Sequence, residues 1–166
     1  MIFNIIKNSR FKLIKNKNKN ISKNKFEEYK SEFKNFYDDA NLKLQQFNLN
    51  DWKITFDYAK RRAGACIYSK KELSFSIYFL RNSSSFDLND TLLHEISHAL
   101  VGPNQGHNNI WKKKALSIGC TGKVYHSLNF SNPGWIKYCS NFCWEQKCYR
   151  RKPVSYTHLR AHETSL

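Results

Sequence analysis

Thr91-Leu92-Leu93-His94-Glu95-Ile96-Ser97-His98-Ala99-Leu100 decides how the rest of this chain is read. It contains the pattern His-Glu-x-x-His. On a helix, residues four apart share a face, so His94 and His98 present two imidazoles to one point. Glu95 sits one position round, near enough to reach water at a shared metal ion without being a ligand. Zinc hydrolysis chemistry needs this set: neutral nitrogen ligands, an open coordination position and a nearby carboxylate base. Three fixed residues also recur by chance in ordinary helices, so context decides. Leu92, Leu93, Ile96, Ala99 and Leu100 make the stretch a buried helix, where unpartnered polar side chains are costly. Gly102-Pro103 stops that helix. Asn104 to Gly106 form a short loop, and His107 stands at the head of a second helical pattern as a third ligand.

Upstream, Phe26, Tyr29, Phe33, Phe36, Tyr37, Ala40, Leu44 and Phe47 recur at spacings of three and four, which predicts one amphipathic helix. Trp52 to Tyr58 alternates apolar and polar, a half-buried strand. Lys60 to Gly64 reads as a turn. Ala65 to Tyr68 and Leu73 to Phe79 read as two further strands, hairpin-linked through Ser69-Lys70-Lys71. Ser83 to Ser85 is a loop, and Asp87 or Asn89 can cap the helix that carries the motif. Asn108 to about Ile118 forms the next helix, with Trp111, Ala115 and Ile118 on its apolar side. Trp111 reads as core packing rather than a substrate contact, and Arg61-Arg62 as part of the turn. The order is a helix, a three-stranded antiparallel sheet, then two helices carrying the site: a compact α+β domain.

The 166 residues suffice for one domain with a core, and the formal charge is +15. Its distribution matters more than its total. Residues 1–25 hold eight Lys/Arg and no acid; residues 26–136 hold fourteen bases and eleven acids; residues 137–166 hold six bases and two acids. A basic arm on a near-neutral domain suits a polyanionic partner, nucleic acid first, and equally suits a solvated tail. Residues 1–25, centred on Lys15-Asn16-Lys17-Asn18-Lys19-Asn20, read as a disordered low-complexity segment. No apolar run approaches the roughly 18 residues of a membrane span, and no signal peptide is evident. The chain is expected to be intracellular, in cytoplasm or nucleus. Its five cysteines then read as reduced thiols or metal ligands.

Taken together, Thr91 to Leu100, Gly106-His107 and Trp111-Lys112 resemble the SprT-like zinc metalloprotease family, whose DNA-repair branch is the Spartan proteases. Arg61-Arg62-Ala63-Gly64-Ala65-Cys66 is similar to the family's arginine-glycine-cysteine turn. Leu116-Ser117-Ile118-Gly119-Cys120 is similar to the end of its second site helix. The resemblance spans roughly residues 27–150 and places the protease domain at 26–135. It implies a zincin-like fold, one catalytic zinc held by His94, His98 and His107, and Glu95 as general base. The reading of the residues alone reached the same four. It further implies an endopeptidase acting on DNA-associated or DNA-crosslinked protein, with DNA as a partner.

The family often adds a zinc ribbon with two Cys-x-x-Cys pairs, and here the chain departs from it. Residues 136–154 offer Cys139, Cys143 and Cys148, three ligands where a structural zinc normally takes four, unless His126 or a residue outside the sequence completes the set. Cys66 and Cys120 read as small buried side chains of the core. Trp135, Lys137, Tyr138 and Arg150-Arg151-Lys152 have the look of a basic, aromatic nucleic-acid patch. Residues 155–166 resemble translated sequencing-adapter DNA, which implies that the natural sequence stops near Pro153 or Val154. His158 and His162 are therefore not read as a metal site. Two other functions stay open: a nucleic-acid-binding protein with a structural or inactive zinc site, and metal-assisted hydrolysis of a bond other than the peptide.

Overall fold

The computed structural model describes residues 3–7, 22–124, 130–133, 135–139 and 144–149. In chain order its elements are β1 (Phe3–Lys7), α1 (Lys23–Glu32), α2 (Lys34–Gln46), β2 (Lys53–Asp57), β3 (Gly64–Ile67), β4 (Glu72–Ser76), α3 (Ile77–Asn82), α4 (Ser85–Val101), α5 (Asn109–Ser117), β5 (Trp135–Cys139) and β6 (Glu145–Cys148). They divide into two units: Lys15–Ser131, and Met1–Ile14 with Asn132–Leu166. Among the described residues no helix is long and apolar enough to cross a membrane.

The larger unit has the expected order of helices, three-stranded sheet and site-bearing helices, an α+β arrangement. Its sheet corrects one expectation. The strands run β2-β4-β3, and β2 is parallel to β4 while β3 is antiparallel to it, so the sheet is mixed rather than wholly antiparallel. The chain leaves β2 and passes beyond the place of β4 before returning through the β3–β4 hairpin. Asp57 anchors that crossing. Its carboxylate accepts from the Ala59 backbone N–H at 2.8 Å and the Ser74 hydroxyl at 2.5 Å, and it pairs with Arg62 at 2.8 Å. Arg62 therefore belongs to the turn, as its sequence context suggested.

Three further boundaries differ, each for a local reason. The single expected helix over 26–47 is two, broken at Phe33 (φ −106°, ψ 33°). The break gathers the rings of Phe26, Tyr29, Phe33 and Tyr37 around Phe56, at centroid distances of 5.6, 6.4, 5.8 and 6.3 Å. The strand expected to reach Phe79 ends at Ser76, whose side chain accepts the Phe79 N–H and caps α3. Leu73, Phe75, Ile77 and Phe79 are all buried, and so are Ser74 and Ser76, so this stretch is enclosed on both sides. The motif helix is capped by Ser84 rather than Asp87 or Asn89, and starts inside the expected serine loop.

The smaller unit is a sheet of order β1-β5-β6, antiparallel throughout. Within residues 1–25, expected to be unstructured, two described stretches take regular structure. Phe3-Asn4-Ile5-Ile6-Lys7, rich in strand-favouring residues, pairs with Trp135–Cys139, and α1 begins at Lys23. The lysine-asparagine run, the expected ligands Cys143 and His126, and residues 155–166 lie outside the described residues.

Ile54, Leu73, Phe75, Phe79, Leu92 and Ile96 are the centre of the larger unit's core. Phe75 is fully buried, its ring edge-on to Phe36 at 5.0 Å. Phe75→Ala should cost about 3–5 kcal/mol in urea unfolding. Leu42→Ala, at a position 65% exposed, should change stability by no more than about 0.5 kcal/mol.

Candidate metal centre

At about 100° per residue, four functions fall on four sides of α4. Leu92 and Ile96 lie on one side and enter the main core. Leu93 lies next round and packs in a second cluster with Trp111, Ala115 and Cys120, which docks α5. His94 and His98 come next, on the side away from Leu92, half-buried. Glu95 closes the circle and turns towards β3. One 17-residue helix thus serves the core, α5, a ligand pair and a carboxylate. It ends at Gly102, whose φ of 88° suits glycine. There the Tyr68 hydroxyl meets the carbonyls of His98 and Gly102 at 2.9 and 3.0 Å and fastens the helix end to the sheet.

His107 arrives from the loop before α5. The Asn108 side chain caps that helix, accepting from the N–H groups of Ile110 and Trp111 at 2.9 and 3.1 Å. The cap fixes where the loop ends and so where His107 stands. His94 Nε2 and His98 Nε2 each lie 3.0 Å from His107 Nε2. The three rings can offer ligand atoms all within 4.8 Å of one another. Zinc–nitrogen bonds of about 2.0–2.1 Å at tetrahedral angles separate two ligand nitrogens by roughly 3.3 Å, so this donor set fits zinc. Three imidazoles leave one position of a four-coordinate site open. The protonation state suits it as well. Burial, and then the neighbouring His94 and His107, push the His98 imidazole down to about 4, and burial lowers His107. Metal ligation requires neutral imidazole.

Glu95 is 6% exposed, held between α4 and β3. Burial pushes its carboxyl up to about 8, opposed by the charge of Arg62 and by a hydrogen bond from the Cys66 backbone N–H. The strand comes this close only because residue 64 is glycine. A Cβ there would stand 2.8 Å from both Cγ and Oε1 of Glu95. Gly64 and the Cys66 backbone are the parts of the site that sequence reasoning missed as such. The Arg-Ala-Gly turn marked the place but not the contact.

A cleft of about 810 Å³ opens over the centre, with Arg61, Gly64, Cys66, Phe86, Pro103 and Lys123 among the residues around His94, Glu95, His98 and His107. Asp90 secures one wall: its carboxylate accepts the backbone N–H of Thr121 at 2.6 Å and its hydroxyl at 2.8 Å. Trp111, fully buried, is packing as expected. Cys66 and Cys120 are free thiols, half-buried and buried, also as expected.

The cysteine end gives less. The side chain of Cys139, and Cys143 entirely, lie outside the described residues; Cys148 is a free thiol in β6. Among the described residues no histidine–cysteine–carboxylate group other than His94, His98 and His107 could hold a metal. Lys137, one member of the suggested nucleic-acid patch, is 3% exposed and lies over the Trp144 ring at 5.8 Å, so it does not face solvent. Arg150-Arg151-Lys152 lie outside the described residues.

Comparison with known proteins agrees with this geometry. The model of the SprT-like family matches residues 25–131, which include every residue of the centre. No curated protein and no solved structure gives a match.

The Gly64–Glu95 contact makes a separable prediction. Gly64→Ala should leave one zinc per chain while displacing the carboxylate, because the three atoms nearest a Cβ there all belong to Glu95. Misplacement of that size should cost roughly a hundredfold in peptide cleavage, measured with metal content and turnover on the same preparation.

Proposed function

Since the chain belongs to the SprT-like family and is a zinc metallopeptidase, we propose that it is an endopeptidase acting on DNA-associated proteins, including proteins crosslinked to DNA. The observation that carries the hydrolytic part is the convergence of three histidine nitrogens beside a buried carboxylate at the floor of an open cleft. His94, His98 and His107 are its ligands and Glu95 its general base. A zinc ion held there supplies Lewis-acid chemistry, acidifying water towards a pKa of about 7 and polarising a carbonyl. Glu95 takes the proton of the attacking water and returns it to the leaving amine. β3 is an edge strand bordering the cleft. An edge strand can add an extended peptide along the part of its edge that Glu95 does not occupy at Cys66, which supports a peptide-chain substrate.

The DNA part rests on charge and on the family resemblance. Lys112, Lys113 and Lys114 are exposed on α5, a helix without acidic residues, and Lys123 is exposed at the cleft. The basic residues of 1–25 and 150–152 add to them. Such a distribution suits a polyanion that brings the substrate to the cleft. An intracellular location, cytoplasm or nucleus, accords with the free thiols of Cys66, Cys120 and Cys148. A second, structural zinc at Cys139, Cys143 and Cys148 remains part of the proposal, with its fourth ligand unassigned.

Glu95→Gln should retain zinc and lose cleavage of casein or histone by about 10²–10⁴-fold. Turnover at the wild-type rate would remove Glu95 from the mechanism. Single-stranded DNA should raise cleavage of histone by the wild-type chain, and the gain should shrink as salt rises. A gain absent at low salt would separate the peptidase from DNA. Tight salt-sensitive DNA binding without cleavage of any unfolded protein would favour the nucleic-acid-binding alternative.

A further inference from the structure

The Trp111 side chain meets all three histidines. The ring of Trp111 lies 4.6 Å from that of His94, 5.2 Å from that of His98 and 4.6 Å from that of His107. It stacks within 25° of the His98 plane, meets His94 at 61° and stands perpendicular to His107. Trp111 is fully buried, in one cluster with Leu93, Ala115 and Cys120. Its indole N–H has no acceptor among the described residues, so the ring is held by its faces and edges rather than by a hydrogen bond.

That placement answers a problem the centre poses. Its ligands come from two elements: α4 supplies His94 and His98, and the loop before α5 supplies the exposed His107. The outer torsion of a histidine is broad, so rotamer preference alone does not aim Nε2. A surface that meets all three rings restricts each of them and registers the loop against α4 together. Charge drawn onto the imidazoles by a cation is also favoured beside an aromatic π system.

We propose that Trp111 is a positioning residue for the metal. It orders the three imidazoles before a metal arrives and thereby sets zinc affinity. This rests on His94, His98 and His107 being the ligands, and the test separates the two claims.

Zinc dissociation constants are measured on the full chain by competition with a chromophoric chelator, and cobalt-substituted samples are compared by visible absorption. The wild-type chain should bind one zinc at the centre. Trp111→Leu should weaken binding by about tenfold or more and alter the cobalt bands that report ligand geometry. Trp111→Phe, which keeps an aromatic face and removes the unpaired N–H, should restore part of the loss. Cys120→Ala, in the same cluster but outside the ring contacts, should lower thermal stability and leave zinc affinity within about twofold of wild type. Equal affinities in wild type, Trp111→Phe and Trp111→Leu would overturn the proposal, as would an equal loss in Cys120→Ala. Where Trp111→Leu does not fold, Trp111→Phe decides: about threefold weaker binding supports the positioning role, and wild-type affinity overturns it. A wild-type chain without zinc would instead overturn the ligand assignment beneath it.

Discussion

A carboxylate buried between a helix and a strand is the constraint on which the rest of the site depends. Removing the Glu95 side chain from water is costly unless its oxygens find donors or positive charge. The Cys66 N–H and the charge of Arg62 offset part of that cost, and both come from the segment that leads into and forms β3. The strand must therefore run close against α4, which is why residue 64 has no side chain. The same requirement fixes the rotation of α4. With Glu95 towards β3 and Leu92 and Ile96 in the core, His94 and His98 have only the cleft to face.

The other half of the centre depends on a different contact. His107 lies on a loop, and the three-histidine set closes only if α5 docks correctly on α4. The small cluster of Leu93, Trp111, Ala115 and Cys120 provides that docking, while the Asn108 cap sets where the loop becomes helix. The centre thus sits where two packing interfaces meet, one holding Glu95 and one holding His107.

What could be read from the sequence follows the range of the interactions involved. His94, Glu95 and His98 were legible because helical periodicity alone places them, and His107 because a Gly-Pro stop precedes it by a few residues. Local signals also found the β3–β4 hairpin and the structural character of Trp111 and Arg62. The parts that escaped are set by tertiary pairing. The Gly64–Glu95 contact joins residues far apart in sequence, and glycine is common in turns for its backbone freedom alone. The parallel pairing of β2 with β4 depends on which side of β4 the hairpin's first strand falls, and alternation carries no such information. The strand at Phe3–Lys7 exists through pairing with Trp135–Cys139, across most of the chain, and the neighbouring lysine-asparagine run dominated the local reading.

One three-histidine centre, with its adjacent buried carboxylate, carries the peptide hydrolysis of this chain. The most direct measurement strips the purified chain with a chelator and titrates zinc back while following casein cleavage. The stripped chain should cut nothing, and the rate should rise up to one equivalent of zinc with no further rise beyond it. Cleavage that survives complete stripping, or a chain that holds its full equivalent and cuts nothing, would contradict the claim.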